Sequence, residues 1–156
     1  MSEKTTKEIY EGYKNKYNLP EFERLEYFLE INCFDEKRFA LQTIRKKINE
    51  KIHKFIEELD SIVQPEATAI SMYENSFFSE KERTDAFDIY KKLMGLSRHS
   101  DLITLTEDNE ANAAFINEFF NTFDEIREKL EKIIQKQRNC WSENSEINNK
   151  VLNYFG

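Results

Sequence analysis

Glycine, proline and cysteine are scarce, at 3, 2 and 2 residues in a chain of 156. An all-β sandwich or barrel needs a turn residue of that kind about every 8–12 positions, so this class is excluded. Cys33 and Cys140 are too few for a disulfide framework and fit no metal or redox spacing, which predicts a reduced, cytoplasmic setting. With glycines at 12, 95 and 156 there is no Gly-rich phosphate loop. No window approaches the ~18 apolar residues of a membrane span. The first seven residues have no apolar core behind them, so no signal peptide is expected. Positive charge is also short: 23 Lys plus Arg stand against 30 Asp plus Glu, a net charge of −7. That balance repels phosphate and disfavours nucleic acid and anionic lipid as partners.

Apolar bulk, by contrast, is ample, with 13 Phe, 7 Tyr and 39% hydrophobic residues. The length suits one domain over residues 1–156. Helical spacing dominates. Ile9, Tyr10, Tyr13 and Tyr17 mark a first helix over 3–17, broken at Pro20; Phe22, Leu25, Phe28 and Leu29 mark a second. Asp35 is placed to cap a long third helix, with Phe34 and Phe39 as a hydrophobic staple. Its stripe is Leu41, Ile44, Ile48, Ile52, Phe55, Leu59 and Ile62, and Pro65 ends it. A short helix over 67–77 follows. Ser79-x-x-Glu82 is a capping box opening a helix that carries Phe87, Tyr90, Leu93 and Met94, with Gly95 as its left-handed terminator. Residues 97–106 are expected to form a loop or irregular strand. A second long helix runs from about 107 to 137 on Phe115, Phe119, Phe123, Ile126, Leu130 and Ile133, and residues 147–155 suggest one more short helix. The expectation is an all-α, compact single-domain helical bundle of five to seven helices, two of them long.

Chemistry-bearing patterns are sparse. Glu50-x-x-His53 is half of the paired motif that binds two irons in helical bundles, but His99 is the only other histidine and no second half exists. Glu50, His53, Glu57 and Asp60 share the side of their helix opposite the apolar stripe, where Lys46 and Lys54 can pair with Glu50. They are expected to be solvent-facing and to hold no metal. Lys47, Lys51 and Lys54 share one flank without interleaved aromatics, a weak footing for nucleic acid. No nucleophile has a motif around it.

The acidic motifs Glu23-x-x-Glu26 and Glu57-x-x-Asp60 resemble those of the all-α nucleotide pyrophosphohydrolases of the MazG type. The resemblance covers these four residues, and the interval between the motifs is wider than the family's. It implies magnesium held by the carboxylates and attack on a phosphoanhydride.

The favoured reading is a non-enzymatic helical protein–protein interaction or assembly module without cofactor. Its alternatives are the magnesium-dependent pyrophosphohydrolase and a subunit of a nucleic-acid complex. Tyr10, Tyr13 and Tyr17 recur at i, i+3 and i+7, the spacing of anchors in a helix laid into a groove. With Trp141 they are the candidate partner-binding residues, for a foreign protein or a second copy.

Overall fold

The computed structural model describes residues 5–31, 33–34, 37–64 and 68–142. It is all-α. The helices are α1 (Thr6–Tyr17), α2 (Phe22–Leu29), α3 (Ala40–Val63), α4 (Ala69–Asn75), α5 (Glu80–Ile103) and α6 (Asn109–Cys140), with a 3₁₀ turn at Lys37–Phe39. Among the described residues there is no strand. The chain divides into two compact units, Met1–His53 with Gly95–Phe123 and Lys54–Met94 with Asp124–Gly156. Helices α3, α5 and α6 each contribute one part to each unit.

The helix ends follow from local chemistry. Thr5 and Glu8 close a reciprocal capping box at the start of α1, and Ser79 and Glu82 do the same at α5. Asp108 accepts the Ala111 N–H at 2.6 Å to open α6. Glycine is scarce, so other residues take the left-handed positions: Asn18 (φ 53°) and Glu30 (φ 54°) terminate α1 and α2. The expected cap at Asp35 and the C-terminal helix at 147–155 lie outside the described residues, as does Pro65. Phe39, the expected staple residue, is exposed beneath the Arg38 guanidinium.

Two expectations about α5 are corrected. Gly95 does not end a helix, and 97–103 is not a loop or strand: α5 continues through Gly95 to Ile103, giving a third long helix, and only 104–106 form a turn. Ser97 and Ser100 occupy the buried face there, where periodicity would demand apolar residues. The buried face of α5 is also turned from the expected one. Ala86, Ile89, Leu93 and Leu96 are buried, whereas Phe87 is exposed and Tyr90 and Met94 are half-buried.

In unit 1 the buried apolar side chains include Leu41, Ile44, Ile48 and Ile52 of α3, Phe115, Ile116, Phe119 and Phe120 of α6, and Phe22, Leu25 and Leu29 of α2. The Phe28 ring closes this core 4.9 Å from Phe123 and 5.6 Å from Phe119. In unit 2 the buried apolar side chains include Ile56, Leu59 and Ile62 of α3, Ile89 and Leu93 of α5, and Ile126, Leu130 and Ile133 of α6. The α3 stripe thus holds, except that Ile56 rather than Phe55 is buried at that turn. The α6 stripe holds throughout, with Phe123 half-buried.

Candidate interaction surface

Each predicted site residue has a definite place. Tyr10 belongs to the interior and not to a surface: it is fully buried, its ring centre lies 5.6 Å from that of Phe22, and its hydroxyl donates to the Pro20 carbonyl at 2.5 Å. Burial accounts for the rise of its pKa, helped by Glu11 and Glu21. The reason lies in the break at Asn18-Leu19-Pro20, which returns the chain across α1 and covers Tyr10. Tyr13 is half-buried and donates to the Lys37 carbonyl at 3.0 Å, linking α1 to the 3₁₀ turn. Tyr17 is half-buried beneath the Lys16 ammonium, and its carbonyl accepts from Asn117. A neighbouring tyrosine is the freer one, since Tyr27 on α2 is 91% exposed.

Trp141 follows the last residue of α6 in unit 2. Its ring centre is 4.4 Å from that of Tyr73, which in turn meets Phe77 at 5.2 Å. The indole N–H donates to Glu74 at 2.8 Å, while the Tyr73 hydroxyl donates to the Cys140 carbonyl at 2.5 Å. These bonds fix the ring's orientation, yet 51% of the residue is exposed. Ile70, one turn earlier on α4, is exposed as well. The result is an aromatic platform with an apolar face open to solvent and its polar atom already satisfied. That combination characterises binding anchors, which offer large area at little conformational cost.

Three of the four residues of the acidic ladder face solvent as expected, and Asp60 does not do so fully. Glu50, His53 and Glu57 are exposed and Asp60 is half-buried. Burial, and then Glu57, raise the Asp60 carboxyl above its usual range. His53 stands 3.4 Å from the Ser97 hydroxyl. Glu23 and Glu26, the other pair in the pyrophosphohydrolase-like pattern, are exposed on α2, where Glu23 binds Lys7 at 2.6 Å. Among the described residues, no three His, Cys, Asp or Glu side chains gather as a metal site. Lys47 and Lys54 are exposed, whereas Lys51 lies with its ammonium 5.6 Å from the Phe28 ring centre. No helix among the described residues is long and apolar enough to cross a membrane.

Two features escaped the sequence reading. Arg45 is only 2% exposed, deep in unit 1. It donates from Nε to Asn112 Oδ1 (2.7 Å) and from Nη1 to the hydroxyl (2.8 Å) and carbonyl (3.2 Å) of Ser100. Its Nη2 meets Glu107 at 3.1 Å. The signal was there: position 45 lies four after Leu41 and three before Ile48, within the apolar stripe. Arg83 in unit 2 is the other: its Nη2 donates to the Asn75 carbonyl at 3.2 Å, its buried Nε has no acceptor among the described residues, and no spacing rule singles it out. Set against protein-family models, curated proteins and solved structures, the chain gave no match in any of the three comparisons.

Proposed function

We propose that this chain is a helical protein–protein interaction module that works by binding, without chemistry of its own. The observation that carries the reading is Trp141, held against Tyr73 and tied to Glu74 with half its surface bare. Orientation has been fixed in advance, so a partner covering the indole loses little further freedom on binding. Tyr27, and secondarily the half-buried Tyr13 and Tyr17, supply further aromatic surface in unit 1. The burial of Tyr10 moves the weight of the reading from α1 to the platform around Trp141.

Trp141 is the chain's single tryptophan, so its fluorescence reports directly on the contact. A partner or second copy that covers it shifts the emission to shorter wavelength. Light scattering after gel filtration assigns the shift to self-association or to a foreign partner. Trp141→Ala is expected to weaken the contact by ~1–3 kcal/mol, while Tyr13→Ala with Tyr17→Ala has the smaller effect. Unchanged mass and unchanged bound partners in all these variants would refute the module. So would pyrophosphate release from nucleoside triphosphates with magnesium by the purified chain.

A further inference from the structure

The indole of Trp141 in unit 2 has Tyr73 against one face, with ring centres 4.4 Å apart, and leaves its other face to solvent. Its main chain is tied by the bond from its N–H to the Arg138 carbonyl at 3.2 Å, and its ring by the donation from Nε1 to Glu74 Oε2 at 2.8 Å. That second bond decides what the open face can receive. A partner cannot use the indole N–H as a donor, so recognition passes through the π surface. Indole is the best cation acceptor among the aromatic side chains, and a carboxylate on its N–H polarises the ring further in that direction.

Glu74 supplies the matching charge. Among the described residues it has no ion pair, and its Oε1 has no hydrogen bond yet is not buried, so that oxygen faces water beside the ring. Glu74 is the only charged residue of α4. On α6 the opposing charge nearest to Trp141 in sequence is Arg138, three positions before it. Arg138 is exposed, with no ion pair or ring contact among the described residues, so water screens it, whereas the carboxylate is pinned to the indole edge. Lys136 is already taken by both oxygens of Glu82. Ile70 stands four positions before Glu74 on the same face of α4, about 6 Å off, and is 58% exposed. The surface thus offers an electron-rich ring, a carboxylate at its edge and an aliphatic side chain one turn away.

We propose that this surface receives an arginine side chain of a partner protein, flat on the open indole face and bonded at its edge to Glu74. The proposal rests on the interaction-module reading and names what the partner presents. A guanidinium is planar and weakly hydrated, so it stacks on an aromatic face while its edge N–H groups still reach a carboxylate. The compact, strongly hydrated ammonium of lysine fits less well. An apolar side chain two residues from the arginine lies on the same side of an extended segment, about 7 Å away, within reach of Ile70. A nucleic-acid base also stacks on indole, but Glu74 and the net charge of −7 repel its phosphates. A purely apolar partner would cover the ring and leave the Glu74 carboxylate beside it without a counter-charge.

The test uses the isotope-labelled full chain and the blocked peptide Ac-Ser-Leu-Ser-Arg-Ser-NH2, with a control peptide carrying citrulline in place of arginine. Citrulline keeps the shape of the planar group and removes its charge. Trp141 is the only tryptophan, so its indole N–H gives a single signal. The Arg peptide is expected to move that signal and the amide signals from Ile70 to Glu74, and to bind at least ~5-fold tighter than the control. Glu74→Gln still accepts from the indole N–H but carries no charge, and should cut that preference to under ~2-fold. Circular dichroism confirms that the variant folds. Equal binding of the two peptides, or a preference that survives Glu74→Gln, would overturn the site. Emission of Trp141 at the short wavelength of a covered indole in the free monomer would replace the partner by another segment of this chain. A shift to shorter wavelength that grows with chain concentration would replace it by a second copy. If the peptides fail while Trp141→Ala still releases a partner, the arginine falls and the module stands.

Discussion

Replacing Arg45 by alanine should be among the costliest single changes in unit 1, and the structure says why. The side chain is 2% exposed and links α3 to Ser100 on α5 and Asn112 on α6. Truncation strands the Asn112 Oδ1 and the Ser100 hydroxyl, while the Ser100 carbonyl keeps the Thr104 N–H; both Asn112 and Ser100 are buried. Each orphaned buried group costs about 1–3 kcal/mol, so the two together cost about 2–6 kcal/mol. Glu107 contributes far less, because its side chain is 32% exposed and its ion pair is screened by water. Glu107→Gln should therefore cost under ~1 kcal/mol. The triple change Arg45→Met, Ser100→Ala and Asn112→Leu leaves no orphaned partner and should recover most of the loss. Urea unfolding followed by far-UV circular dichroism gives these differences from the midpoints at constant slope. Arg45→Ala within ~1 kcal/mol of the parent chain, or Glu107→Gln as damaging as Arg45→Ala, would refute the reasoning.

Gly95 sits exposed inside α5 with ordinary backbone angles and open space where a Cβ would stand. Gly95→Ala should therefore raise stability by about 0.5–1 kcal/mol in thermal denaturation, whereas a left-handed terminator would lose stability. Cys140 is buried, and burial together with the nearby Glu74 carboxylate pushes its thiol up to about 11. At mildly alkaline pH iodoacetamide should modify the exposed Cys33 in the native chain and reach Cys140 only after unfolding, as peptide mapping would show.

Where side chains obey one rule at a time, the sequence was transparent. The stripes of α3 and α6 came through because Leu, Ile and Phe recur there every three or four residues along most of each helix, and the Ser79–Glu82 box announced the start of α5. The end of α5 was hidden by two substitutions in its own stripe. Ser97 and Ser100 stand where apolar residues would continue the pattern of Leu93 and Ile103, because the groups facing them are His53 and the Arg45 guanidinium. A buried polar network on one helix thus erased the periodicity of another. The interaction surface was legible only in part. Trp141 drew notice as a lone tryptophan, but which of the three α1 tyrosines would be buried depended on how the chain folds back at Pro20. The bond from Arg83 to the Asn75 carbonyl depended on how α4 and α5 meet, which no local pattern encodes.

The Arg45 network also sets where helices stop sliding. A stripe of Leu and Ile repeated every three or four residues is nearly indifferent to axial displacement, since a shift of one turn, about 5.4 Å, brings similar side chains opposite each other again. Directed bonds are not indifferent. Moved by one turn, the Arg45 fork would face neither the Asn112 oxygen at 2.7 Å nor the Ser100 hydroxyl at 2.8 Å. A charge would then lie buried without partners. Within unit 1, three helices whose apolar faces would tolerate several alignments are held to one by a single arginine.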